Sequence, residues 1–330
     1  MMRITRIAPI VAAAALCMGA TSCMKYEKKE NTSTTGTATL VCDNSFQNIL
    51  EQEIDVFEYQ YPEAHILPEY TTQSVAFDSL MSLSTKTIVV SRDITPEERA
   101  FLKSKKRTVR SSKIAVDAVA FIVNNANPVE MLTLGELADI VGGRTTQWND
   151  VQPNDLGEIS VVLDQTGSSL ATYMRDSLLD GKPLGSNVYA AGSVPAVFET
   201  VEKNKNAIGV LGVSWITSDM SSADMAPDSL AMSILSDEPV QGATLTNRVK
   251  VLKLRRNDEV TAYKPYQQNI FDGTYPLFRQ IYMITTAHSS SPAGGFYSFV
   301  TGDIGQKIIM KTGILPARMR IQVVQLGPDE

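Results

Sequence analysis

Between Thr37 and Glu98 a short apolar run repeatedly breaks at capping residues and passes into a segment of helical periodicity. This alternation restricts the fold more than any other feature of the chain. "TATLVC" is followed by Asp43, Asn44 and Ser45, after which Phe46, Ile49, Leu50 and Phe57 recur at helical spacing until Tyr61-Pro62. "AHILPEY" leads into a helix through Ser74, Phe77, Leu80 and Met81, and "TIVVS" forms the third strand. The order β-α-β-α-β predicts a parallel sheet, and in such sheets ligands sit outside the carboxyl ends of the strands.

Two of those ends carry unusual chemistry. In "TIVVSRDITPEE" a buried strand stops at Ser91, Arg92 and Asp93, and Thr95, Pro96 and Glu98 then form a capping box with proline at the first helical position. Glu97 and Glu98 already occupy that helix's first turn, so an anion there would meet Ser91 and Arg92 rather than the helix end. A surface pair of Arg92 with Asp93 or a glutamate, binding nothing, is the alternative. In "VVLDQTGSSLATYMRDSLL" a second strand gives way to Thr166, Gly167, Ser168 and Ser169 and then to a helix whose first turn, Leu170 to Thr172, holds no acid. That helix start is open to an anion, with hydroxyls beside it, although Ser168 or Ser169 would also serve as a plain cap.

The same alternation continues through "KIAVDAVAFIVNN", "LTLGELADIVGG", "EISVVL", "VPAVFETVEKN" and "AIGVLGVSWI", which makes a second α/β block. Ser218 to Asn247, rich in Ser, Asp, Met and Pro, carries no readable pattern. The chain opens with Arg3 and Arg6 and the apolar run Ala8 to Ala20, a secretory signal too short for a membrane span. "GATSC" resembles the lipobox of bacterial lipoproteins, with Ala20 where leucine usually stands. The resemblance implies lipidation of Cys23 as the mature N-terminus, and plain secretion with cleavage near Ser22 is the other reading. Residues 23–36 are polar and read as a flexible tether.

The chain holds 30 basic and 36 acidic residues; without residues 1–22, which carry two arginines, 28 face 36, a net charge of -8. A nucleic-acid partner is excluded on that charge. Of three cysteines only Cys42 remains in the mature body, so no internal disulfide is expected, and with two histidines, His65 and His288, no zinc-type metal site and no cofactor are expected either. An enzyme would need Cys42 as nucleophile with His65 or His288 as base, and no catalytic signature surrounds them.

"KIAVDAVAFIVNNANPVEMLTLGELADIVGGRTTQW", "NAIGVLGVSWI", "DGTYPLFRQIYMI" and "FVTGDIGQKIIMKTGILP" resemble, in order and spacing, segments of the phosphate-binding lipoproteins of bacterial phosphate ABC transporters. "VVSRDITPEE" resembles the Ala-Ser-Arg-x-Leu stretch of one branch. The likeness runs over the whole chain after the tether. It implies an α/β, two-lobed periplasmic-binding-protein-like fold of type II, each lobe a mostly parallel sheet flanked by helices, with the ligand in a cleft between them. Lobe 1 is then 37–116 plus 262–330 and lobe 2 is 117–261, with crossings near Asp117 and near Tyr263 to Tyr275.

The implied function is capture of inorganic phosphate or a related oxyanion by a monomer held to the membrane through its lipid, facing the periplasm or cell exterior and serving an ABC transporter permease. Ser45 and Phe46 match the family's first binding loop, and Thr71 or Thr72 stands near its second contact. Ser168 is kept in the fourth loop beside Ser169, but Asp164 stands where the family has arginine and Leu170 where it has threonine. A guanidinium fork is a strong phosphate ligand, so Arg92 is expected to supply the missing charge, with Ser91 beside it. Asp93 or Asp43 would accept a proton from the ligand and so select protonated phosphate over sulfate. A lipid-anchored binding or structural protein of the same fold, with an altered or lost ligand, is the competing class.

Overall fold

The computed structural model describes residues 31–217, 227–236 and 245–318. The signal segment, Cys23 and residues 23–30 of the tether lie outside the described residues, as does most of Ser218 to Asn247.

The elements follow the alternation of the sequence. They run β1 Gly36–Asp43, α1 Gln47–Gln60, β2 Ala64–Thr71, α2 Gln73–Met81, β3 Thr87–Val90, α3 Pro96–Ser104 and the long β4 Arg110–Val123. The second block comprises β5 Met131–Thr133, α4 Leu134–Val141, α5 Trp148–Val151, β6 Ser160–Leu163, α6 Ser169–Leu178, β7 Val188–Ala190, α7 Val194–Lys203 and β8 Ala207–Gly212. Then come α8 Pro227–Leu235, β9 Lys250–Val251, β10 Lys253–Arg255, α9 Gln267–Phe271, β11 Phe278–Thr285, α10 Pro292–Val300, α11 Asp303–Lys311 and β12 Leu315–Pro316.

The main sheet runs β2-β1-β3-β11-β4-β8-β6-β7, with β12 and β9 also on β4, while β5 and β10 pair separately. β1 is parallel to β2 and β3, and β6 is parallel to β7 and β8, as the helical crossovers require. β11 and β4 run antiparallel to their neighbours.

β4 joins the two lobes of this α/β fold. Its first part, through Ala118, pairs with β11, and its last part, from Val119, pairs with β8. From Val119 to Val123 every side chain is fully buried, because helices cover both faces of a strand at the centre of an α/β sheet.

The sequence reading of the terminal tether needs one correction. β1 begins at Gly36, and Thr32 bridges to Thr35. The carbonyl of Ser33 lies 1.8 Å from where a Cβ on Gly295 would stand, so only glycine in α10 lets this segment lie so close. Residues 31–36 are therefore ordered with the body.

The capping boxes form as expected. Thr95 accepts from the Glu98 amide and Glu98 returns to the Thr95 amide, with Pro96 in the first turn. In the first lobe Phe57 makes edge contacts with Tyr61, Phe296 and Phe299, which ties α1 to α10. Cys42, at the end of β1, is fully buried and unpaired, and burial pushes its thiol well up, with the charges of Asp43 and Glu51 adding to the effect. A thiol so held is not an activated nucleophile.

Candidate functional site

Two strand ends meet. After β1, Asp43 accepts the Ser45 amide at 2.9 Å and starts a single 3-10 turn, Asn44–Phe46. After β6, Ser168 caps α6 by accepting the Ala171 amide at 3.2 Å. The hydroxyls of Ser45 and Ser169 then lie 3.2 Å apart although they are 124 positions apart in sequence. The turn Val213–Trp215 after β8 fixes this approach from behind: the Trp215 indole donates to the Ser45 carbonyl at 2.9 Å, and the Asn48 amide donates to the Ser214 carbonyl at 2.8 Å.

Arg279, on β11, lies between the two loops. One Nη donates to Ser169 Oγ at 2.9 Å, the other to Asp117 Oδ2 at 3.2 Å, and the guanidinium carbon sits 4.4 Å from the centre of the Phe46 ring. Arg279 is 4% exposed and Asp117 is fully buried; they face each other because Arg279 pairs with Asp117 in the β11–β4 register. Asp117 Oδ1 accepts the Val213 amide at 3.0 Å. Burial pushes the Asp117 carboxyl up, and the charge and hydrogen bond of Arg279 oppose that push. Arg279 Nε has no partner.

Beside this cluster opens a cavity of about 270 Å³. Asn44, Gln47, Tyr70, Asp164, Gln165 and Trp215 are among its lining residues, and Gly192 to Pro195 complete it. Asp164 is 2% exposed and neither of its carboxylate oxygens accepts a hydrogen bond; Asp43 Oδ2 is likewise buried and without a partner. Burial pushes the Asp164 carboxyl up; the nearby Ser168 hydroxyl and Gln165 amide oppose that push, the charge of Asp43 adds to it, and the charge of Arg279 opposes it.

Of the residues singled out from sequence, Ser45, Phe46, Asp43, Ser168 and Ser169 come together here. Thr71 lies opposite Asp43 in the β1–β2 register, and Thr72 is the cap of α2. Ser91 donates its hydroxyl, and its amide, to Gln73 Oε1, each at 2.7 Å. Asp93 accepts from the Ile94 amide and the Ser111 hydroxyl.

Arg92 differs from the expectation. Its guanidinium is bidentate to Glu98 at 2.7 and 2.9 Å, donates to the Asp93 carbonyl at 3.0 Å and stacks 3.4 Å from the centre of the Phe77 ring. The hydrogen bond from Arg92 holds the Glu98 carboxyl below its usual range. The local partner wins because the capping box already presents Glu98's carboxylate at the strand tip. The guanidinium between the Ser45 and Ser169 loops is Arg279, which the sequence reading did not single out. A signal was present: Asp117 and Arg279 are single opposite charges inside the apolar runs "KIAVDAVAFIV" and "YPLFRQIYMI".

Two α/β lobes joined by a shared strand, with helix-start loops from each converging on a buried guanidinium, make up the two-lobed, type II periplasmic-binding-protein-like fold. Residues 28–303 match the family profile of the PBP superfamily domain, and the chain belongs to that superfamily. Among curated proteins it is 21% identical over 313 residues to the phosphate-binding protein PstS of Pseudomonas aeruginosa, covering 90% of this chain and 87% of that one. It is 24% identical over 226 residues to the PstS of Staphylococcus saprophyticus, covering 68% of this chain and 62% of that one.

Two solved structures share the fold. A Clostridium perfringens substrate-binding protein, assigned to phosphate ABC transport and holding phosphate, superposes with a TM-score of 0.66 at 21% identity, covering 86% of this chain and all of that one. An ABC-type phosphate transport receptor from Vibrio cholerae gives 0.60 at 20% identity, covering 85% and 100%.

Proposed function

We propose that this chain is an extracytoplasmic solute-binding lipoprotein that captures phosphate or a related oxyanion between its lobes and delivers it to an ABC transporter permease. The observation that carries this reading is Arg279, a buried guanidinium bonded to Ser169 at an acid-free helix start, with Ser45 of the opposite loop 3.2 Å from the same hydroxyl. Donors gathered in that way suit an anion's oxygens, and removal from water strengthens each contact. The relatives named above, whose own descriptions specify phosphate, support the same class of ligand.

The role is binding rather than catalysis: Cys42 is buried with its thiol pushed up, and the His288 ring pairs through Nδ1 with Ser290. Among the described residues no helix is long and apolar enough to cross a membrane. Attachment to the membrane is assigned to a lipid on Cys23. The moving bodies are 37–116 with 262–330 against 117–261, and the protein works as a monomer. In this reading Ser45, Phe46, Ser168, Ser169 and Arg279 hold the anion.

Thermal unfolding with and without phosphate tests the assignment. At about 100 times the dissociation constant a bound ligand adds roughly 2.7 kcal/mol to stability, and an unchanged melting temperature at millimolar phosphate rejects it. Fatty-acid labelling of wild type that disappears in Cys23→Ala tests the anchor.

Asp164 favours a second reading, an altered ligand, since it puts a buried carboxylate at the cavity wall.

A further inference from the structure

We propose that the cleft takes a phosphoryl or phosphonyl compound that also carries an ammonium group, with Asp164 receiving the ammonium. This rests on the oxyanion reading above and narrows it.

Asp164 is the one charged residue among those lining the 270 Å³ cavity. It is 2% exposed, and both of its oxygens lack a hydrogen-bond partner; the Oδ2 of Asp43, 1% exposed, lacks one too. Buried acceptors without donors are costly and are normally satisfied, so a carboxylate with two of them at the cavity wall points to a ligand that brings donors. Hydrogen phosphate brings one or two O–H donors, but its net charge has the same sign as the carboxylates. Arg279 is the guanidinium at hand, and one of its nitrogens is already held by Asp117.

A primary ammonium supplies three N–H donors and no acceptor, which suits the two open oxygens of Asp164 in chemistry and in charge. Tyr70 and Trp215 line the same cavity and add aromatic surface of the kind that favours cations. The donors lie elsewhere: the Ser45 and Ser169 hydroxyls, one Nη of Arg279 and its unpartnered Nε form the anion's side. Acceptors at the cavity wall and donors at the loop junction describe a ligand with a positive end and a negative end.

Isothermal titration of the full chain, purified in detergent, with three probes decides the matter. The probes are 2-aminoethylphosphonate, propylphosphonate, which has the same shape without the amine, and inorganic phosphate. In wild type, 2-aminoethylphosphonate should bind at least about tenfold tighter than propylphosphonate, the factor expected of one charge-assisted hydrogen bond. Asp164→Asn should bring the two phosphonates to within about twofold of each other while phosphate affinity stays level or rises, because a like charge has been removed. Equal affinity of the two phosphonates in wild type overturns the ammonium assignment and leaves the oxyanion reading standing. Failure of all three probes to bind overturns both. The wild-type comparison needs no variant to fold.

Discussion

Arg92 and Arg279 pose the same chemical problem and the fold solves it in opposite ways. Arg92 stands at the tip of β3 with its side chain 41% exposed, and its partner Glu98 is six residues along the chain in the turn that follows. Arg279 stands inside β11, nearly fully buried, and its partners Ser169 and Asp117 are 110 and 162 positions away. The first pair forms wherever the local turn forms. The second exists only when β11, β4 and α6 have all been assembled, so it reports tertiary assembly and lies at the junction where the proposed site is built.

The contrast predicts very unequal mutational effects. Arg279→Ala leaves Asp117 charged and unpaired in the interior, and denaturant unfolding should show a loss of about 3 to 5 kcal/mol. Replacing both partners, Arg279→Met with Asp117→Leu, should recover much of that stability without recovering phosphate binding. A single Arg279→Ala protein as stable as wild type would break the comparison at its strong end.

Ser169→Asp puts a carboxylate on the guanidinium and in the anion's place, while Ser168 still caps α6. Phosphate affinity should fall by at least about tenfold with little change in melting temperature, because an acid in a helix's first turn is tolerated well.

Glu53 sharpens the comparison from the acid side. It sits on α1 against Phe46, Val89, Ile114 and Ile281 with neither oxygen partnered, and burial pushes its carboxyl well up. The folded chain therefore keeps a proton that the unfolded chain releases near pH 4.5. Its contribution is fully present below that pH and is lost as pH rises through the folded-state value, by up to about 1.4 kcal/mol per pH unit. Glu53→Gln should flatten that slope in urea titrations between pH 5 and pH 8, and an unchanged slope would show that another group carries it.

At the weak end, Arg92→Ala removes a half-exposed pair worth about 0 to 1 kcal/mol, and phosphate affinity should stay within about twofold. Glu98's carboxyl is held low by Arg92, so the pair's small contribution is present above the unfolded value and is lost as pH falls through the folded one. A tenfold loss of affinity in Arg92→Ala would return the ligand role to the β3 tip.

How much of this was legible beforehand depended on distance along the chain. The order of strands and helices, the Thr95 capping box, the parallel pairing around β1 and β6, and the helix start at Ser168 all follow from patterns within about twenty residues. Local propensity and apolar periodicity act over that range. Those signals also placed Ser45, Phe46, Ser168 and Ser169 at strand ends that the structure brings together.

The guanidinium could not be chosen in the same way. Sequence alone ranks Arg92 highly, because a strand tip is where binding residues stand; it offers a surface pair with a glutamate as the alternative but cannot decide between the two. Arg279 reads as one interior strand residue until β11 is laid antiparallel on β4 and the register sets it opposite Asp117. The chain by itself determined the elements, their caps and the class of fold, since these are properties of neighbouring residues. Tertiary structure decided which charges are buried, which are paired and which carboxylates are left open to a ligand, because burial and pairing are settled only when segments more than a hundred residues apart exclude water from one another.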